Sequence, residues 1–170
     1  MRIAFDGTTL CAPDGSPGAG IEHYSWSLLV AMVRLAPNDP FLVFVPPVLS
    51  AEARQKIRTL GSRVRVYTVS RHTYPFLSRH VFFPFQVLFQ RPDVFFSPFG
   101  QIPFGYFGKS VVTVHDLAIY EHPEWFPAQQ DFSTRVIVPR SLVRAQAIVA
   151  VSQATQQKLH TLFPQTHDKT

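Results

Sequence analysis

The chain has 170 residues, of which 46% are apolar and 16% charged, with a formal net charge of +5. This composition can fill a core and excludes global disorder, which needs low hydrophobicity and high charge. No apolar run reaches the roughly 18 residues of a membrane-spanning helix. The single cysteine, Cys11, leaves no internal disulfide and no Cys-based zinc site, and it fits a reducing compartment. Asp6 interrupts the N-terminus before a long apolar run develops, so no signal peptide is expected. The length fits one domain, residues 1–170.

Ile3-Ala4-Phe5 predicts a first strand, followed by a loop from Gly7 to Gly20 with four glycines and two prolines. Ile21, Tyr24, Leu28, Ala31 and Leu35 recur at spacings of three and four and predict a helix, stopped at Pro37-Asn38-Asp39-Pro40. Phe41 to Val45 is apolar throughout, as expected of a strand buried on both faces. Ser50 is placed to cap a helix over 51–60. Val64, Val66 and Tyr67 alternate with Arg63 and Arg65 as a third strand. Residues 76–90 predict a helix that Pro84 breaks or kinks. Asp93 to Phe96 and Val111 to Val114 read as the fourth and fifth strands. Residues 128–145 read as a helix kinked at Pro139, and Ala147 to Val151 as a sixth strand. Ser152 caps a last helix presenting Leu159, Leu162 and Phe163, and the polar residues after Pro164 are expected to fray. Apolar strands alternating with helices imply an α/β fold, a Rossmann-like three-layer sandwich around a parallel sheet.

In such a sheet ligands bind beyond the carboxyl ends of the strands. Three segments fall there. Gly15-Ser16-Pro17-Gly18-Ala19-Gly20 leads into the first helix; small residues allow close backbone approach, and the helix start offers free N–H groups to a phosphate. It is neither a dinucleotide fingerprint nor a P-loop, and a plain flexible turn is the alternative. His115-Asp116 leaves the fifth strand, where His can donate to a sugar hydroxyl or phosphate oxygen and Asp can accept from a hydroxyl. The plainer alternative is that both close the strand and a turn. Ser152, Gln153 and Thr155 open the last helix, with Ser152 an N-cap. A metal site from His115, His122, Asp116, Glu121 and Glu124 is not expected, because Pro123 and the loop leave their geometry undefined.

Charge and aromatics are unevenly spread. No acid lies between Glu52 and Asp93, while Arg54, Lys56, Arg58, Arg63, Arg65, Arg71, Arg79 and Arg91 supply half of the chain's 16 Lys and Arg. Ten of 16 phenylalanines lie between Phe76 and Phe107. This pattern suggests an anionic partner: a phosphorylated substrate, a membrane surface or nucleic acid. No nucleic-acid module is present, so nucleic acid is not expected. Phe82, Phe83, Phe95 and Phe96 read most simply as core. At least two of Phe76, Phe99, Phe104 and Phe107, beside Pro or Gly, are expected to face solvent near Arg71 or Arg79.

Three segments in this order, Ala19-Gly20-Ile21-Glu22, Val111 to Leu117 (VVTVHDL) and Ile148 to Thr155 (IVAVSQAT), with Glu121-His122-Pro123-Glu124-Trp125-Phe126 between the last two, resemble the N-terminal domain of retaining GT-B glycosyltransferases of family GT4. The resemblance spans nearly the whole chain; it departs where the family's Gly-Gly is Ala19-Gly20. It implies one half of a GT-B fold, the acceptor-side domain, whose C-terminal donor-binding partner is not in this sequence. It implies a nucleotide-diphosphate sugar as donor, a glycan or lipid-linked glycan as acceptor, retention of configuration, and neither metal nor other cofactor. His115 would be catalytic, contacting the transferred sugar, and Gly18, Ala19, Gly20, Asp116 and Ser152 would bind substrate. The fragment alone would be inactive. The protein would be cytoplasmic, with peripheral contact at the inner membrane face. The alternatives are a non-enzymatic Rossmann-like module docking a partner or an anionic membrane, and a small single-domain nucleotide-dependent enzyme, against which stands the lack of a cofactor fingerprint.

Overall fold

A computed structural model describes residues 1–10, 20–70, 74–126 and 132–170. Its strands are β1 (Ile3–Asp6), β2 (Phe41–Val45), β3 (Val64–Thr68), β4 (Val94–Ser97), β5 (Ser110–Val114) and β6 (Ala147–Ala150). They form a six-stranded, all-parallel sheet in the order β3-β2-β1-β4-β5-β6, flanked by helices as an α/β three-layer sandwich. This is the doubly wound order, in which the chain reverses its direction of travel after β3. Burial follows position in the sheet. Every residue of β1 and β2 is buried, whereas the edge strands β3 and β6 have one buried residue each.

The chain divides into two compact units. The first comprises residues 1–96 and 105–108. In it β1 pairs with β2 and β4, and β2 with β3, aligning Ile3 with Phe41 and Phe41 with Val64. Its core is aromatic. Phe83 meets Phe44 and Phe95 edge-on at centroid distances of 5.6 and 6.1 Å, and Phe95 meets Tyr106 at 4.9 Å. Burial pushes the Tyr106 phenol up to about 12. Helix α1 (Gly20–Leu35) buries Ser25, Leu29 and Val33. The helix forms as its spacing predicts, but the periodic residues are not its packed side: Ile21 and Leu35 are exposed. The helix is apolar around most of its circumference, so spacing alone could not select the side that packs. Ser50 caps α2 (Ala51–Arg58), its hydroxyl accepting from Ala53 N at 3.1 Å.

The second unit comprises residues 97–104 and 109–170. It pairs β5 with β6 and is packed by Ile102, Val112, Val114, Ile137, Leu142, Ile148 and Leu159. Here α5 (Ala118–Glu121), α6 (Val138–Arg144) and α7 (Gln153–Leu162) are the α-helical segments. Residues 164–169 do not fray. They form a 3₁₀ turn in which Thr166 is buried and Lys169 Nζ donates to Val143 O at 2.6 Å. Burial lowers the pKa of that lysine.

The two interior prolines are accommodated in the same way, once in each unit. A π-helical turn at Ser78–Phe82 sits between α3 (Pro75–Leu77) and α4 (Phe83–Phe89), which contains Pro84. A second π-helical turn at Ser133–Ile137 precedes α6, which contains Pro139. Proline lacks an N–H and its ring crowds the carbonyl four residues back. The residue before each proline, Phe83 or Val138, instead donates five residues back, to Ser78 O or Ser133 O. A widened turn thus precedes each proline at which a break or kink was expected.

Candidate functional site

The His115-Asp116 pair leaves the carboxyl end of β5 in the second unit, after five strand residues of which four are buried. His115 is half-buried, and its Nε2 lies 2.7 Å from Pro98 O. A carbonyl only accepts, so Nε2 carries the hydrogen and the ring's orientation is fixed. The His115 carbonyl accepts from Thr155 Oγ1 at 3.2 Å. Thr155 belongs to the first turn of α7, where Ser152 Oγ accepts from Thr155 N at 3.1 Å and lies 3.0 Å from Thr155 Oγ1. Because the Thr155 hydroxyl hydrogen points to His115, Ser152 is the donor between the two hydroxyls. The two motifs read separately in the sequence are thus one hydrogen-bonded cluster at the carboxyl ends of β5 and β6.

The other expected residues divide. Ser152 is the N-cap of α7 and is exposed. Asp116 is exposed, and its Oδ1 accepts from Ala118 N at 3.1 Å, turning the chain into α5. Both make the local contacts that their residue types favour, and their other carboxylate and hydroxyl capacity faces outward. Gly20 opens α1, and a Cβ there would meet nothing within 4 Å among the described residues. Gly18 and Ala19 lie outside the described residues. The acids and histidine after the pair are engaged elsewhere. Glu121 Oε2 takes Lys158 Nζ at 2.5 Å, while His122 stacks on Trp125 at 4.0 Å and lies 3.2 Å from Glu124 Oε1. Among the described residues no three or more His, Cys, Asp or Glu converge as metal ligands would.

Two further strand-end groups were not anticipated. Ser97 ends β4, next to the Pro98 that anchors His115, and its hydroxyl is buried with no hydrogen-bond partner among the described residues. An unsatisfied buried hydroxyl costs about 1–3 kcal/mol, so it marks a place where a polar ligand or water is favoured. In the first unit Asp6 ends β1, and its side chain is wholly buried. Its Oδ2 meets Arg79 Nη2 at 2.6 Å and its Oδ1 accepts from Thr8 Oγ1 at 2.6 Å. The Arg79 guanidinium also lies 4.8 Å from the Phe83 ring centroid. A polar residue closing an apolar strand was the available signal for both Ser97 and Asp6.

The basic and aromatic run also resolves into roles. Arg54 clamps the turn after β2, donating to Leu49 O, Pro46 O and Pro47 O at 3.0–3.3 Å and to Thr68 Oγ1. Arg79 is committed to Asp6, and Arg71 lies outside the described residues. Phe83, Phe95 and Phe96 are core as expected, but Phe82 is 43% exposed. On α4 the buried positions are Phe83, Pro84 and Val87, which turns Phe82, Phe85 and Phe89 outward at spacings of three and four. Of the four loop phenylalanines, Phe76, Phe104 and Phe107 are exposed and Phe99 is half-buried. Among the described residues no helix is long and apolar enough to cross a membrane.

No protein-family model matches the chain, and a comparison with curated proteins finds no matching relative.

The buried pair of Asp6 and Arg79 is a stability element. Removing one partner of such a pair leaves an uncompensated charge and costs about 3–5 kcal/mol. Asp6→Ala is therefore expected to lower the unfolding free energy by that amount in urea titration at neutral pH. A change under 1 kcal/mol would show that Arg79 finds equal solvation elsewhere.

Proposed function

We propose that this chain is the acceptor-side half of a glycosyltransferase that moves a sugar from a nucleotide-diphosphate sugar to a glycan or lipid-linked glycan with retention of configuration. The observation that carries this reading is the cluster joining His115 to Ser152 and Thr155. The two segments that most resemble family GT4 are tied by the Thr155–His115 hydrogen bond at the strand edge where doubly wound folds bind ligands.

In this reading the donor diphosphate is held mainly by a donor-binding domain additional to residues 1–170. His115, its ring fixed by Pro98 O, presents its imidazole to the transferred sugar and stabilises charge as the glycosidic bond breaks. Asp116 accepts from a substrate hydroxyl through the carboxylate capacity that Ala118 leaves unused. Ser152 holds the start of α7, whose N-terminal N–H groups face an anionic substrate. The resemblance also assigns substrate binding to Gly18, Ala19 and Gly20. Neutralisation of the leaving diphosphate by cationic side chains and helix dipoles requires no metal or other cofactor. The proposed location is cytoplasmic.

A second reading is favoured by the outward stripe on α4. Phe85 is 69% and Phe89 83% exposed, in a segment that carries cations and no acid. In it the chain docks on an anionic membrane surface, either as a binding module or as a transferase reaching a lipid-linked acceptor. Cations near such a surface contribute about 1 kcal/mol each, and the rings bury at the headgroup boundary.

Two measurements test these readings. In the transferase assembled with its donor-binding domain, His115→Ala is expected to lower turnover about 10²–10³-fold, whereas Ser152→Ala costs about 1 kcal/mol of stability and little turnover. Full turnover in His115→Ala would make His115 a strand-end anchor only. In vesicle sedimentation, binding to phosphatidylglycerol-containing vesicles is expected to weaken with salt and to fall in a Phe85→Ser, Phe89→Ser double variant. Equal retention by neutral and anionic vesicles at low salt would remove the membrane reading.

A further inference from the structure

At the opposite, amino edge of the sheet, wholly within the first unit, lies a cavity of about 280 Å³ lined by Arg2, Pro40, Leu42, Ser62, Arg63, Arg65, Tyr67 and Gln90. The strand register builds it. Ile3 aligns with Phe41 and Phe41 with Val64, which sets Arg2 and Arg63 just ahead of strands two places apart, roughly 10 Å across the sheet. Arg63, Arg65 and Tyr67 then share one face of the edge strand β3, since alternate residues point the same way. Leu42 aligns with Arg65 and forms part of the floor.

The electrostatics of this cavity are unbalanced. Three guanidinium groups line it and no acid does. Arg2 Nη1 donates to Gln90 O at 2.9 Å and Arg63 Nη1 to Asn38 O at 2.8 Å. Carbonyl oxygens hold these heads in place without cancelling their charge. Arg65 is exposed and makes no hydrogen bond or ion pair among the described residues. The nearest acids in sequence are occupied: Asp93 Oδ2 accepts from the Arg2 backbone N–H at 2.6 Å, and Asp39 Oδ1 pairs with the N-terminal ammonium at 2.6 Å. Ser62 and Tyr67 add two hydroxyl donors to the lining. The volume is at the low end for ligand sites, suited to a compact anion rather than a large organic molecule.

We propose that this cavity is a binding site for a phosphoryl group, with Arg63 and Arg65 as its principal ligands and Arg2 as the third cation. Planar guanidinium forks match phosphate oxygens in bidentate geometry, and such charge-assisted hydrogen bonds are the strong ones. The group comes either from a free phosphate or diphosphate, or from a phospholipid headgroup. Phe89, exposed and adjacent to the lining residue Gln90, would meet the lipid in the second case. The site stands independently of the transferase reading, whose His115, Asp116 and Ser152 lie in the other unit.

The test titrates inorganic pyrophosphate into the full chain by calorimetry at low salt, with phosphatidylglycerol vesicles as a parallel arm. Saturable binding is expected in at least one arm, weakened about tenfold or more in Arg65→Gln and in Arg63→Gln. Arg58→Gln, a charge loss on α2 outside the cavity, is expected to leave it unchanged. Loss of pyrophosphate binding identifies a free phosphate as the source; loss confined to vesicles, and shared by Phe89→Ser, identifies a headgroup. Circular dichroism confirms that each variant is folded, and Arg65, exposed and without a partner, is the substitution least able to disturb the fold. Absence of saturable binding in both arms, or equal weakening by Arg58→Gln, would overturn the site.

Discussion

Complete burial of the two strands β1 and β2 is the constraint on which the rest depends. Nine consecutive-in-strand residues, Ile3–Asp6 and Phe41–Val45, are covered on both faces. Such strands cannot carry chemistry along their length, because a polar side chain there would be desolvated without a partner. Every polar group of interest is therefore displaced to a strand end. Asp6, Ser97 and His115 close β1, β4 and β5, while Arg2 and Arg63 precede β1 and β3. On the edge strand β3, burial is incomplete, and Arg65 stands exposed within the strand.

The same constraint sets the cost of each end group. Asp6 is buried with its strand and requires Arg79, brought from 73 residues away in sequence. His115 is only half-buried, and the Pro98 carbonyl orients its ring. The β1 end is thus a structural lock.

Much of the fold was legible because it is locally encoded. The unbroken apolar run Phe41–Val45 could only be a doubly covered strand, and Ser50 and Ser152 cap their helices as their spacing predicts. What was not legible depends on partners distant in sequence or on details that spacing does not carry. The inward face of α1 is chosen by what packs on it, and Ser25-Leu29-Val33 won over an equally periodic stripe. Pro84 and Pro139 announce a lost donor, not the π-helical turns that absorb it. Thr166 turned a polar segment inward against expectation. At the site, His115 and Ser152 were readable as motif members, but their link through Thr155 needed the pairing of β5 with β6. The arginines of the basic run are alike in sequence, and only the fold sorts Arg54 and Arg79 into internal clamps and leaves Arg63 and Arg65 beside the cavity.

The central claim, that the β5–β6 carboxyl end receives a nucleotide-diphosphate sugar, is tested most directly by amide chemical-shift mapping. Isotope-labelled residues 1–170 would be titrated with a panel of nucleotide-diphosphate sugars to millimolar concentration. The expected result is weak, saturable perturbation centred on His115, Asp116 and residues 152–155. Perturbation confined to the amino-edge arginines, or none at any concentration, would contradict it.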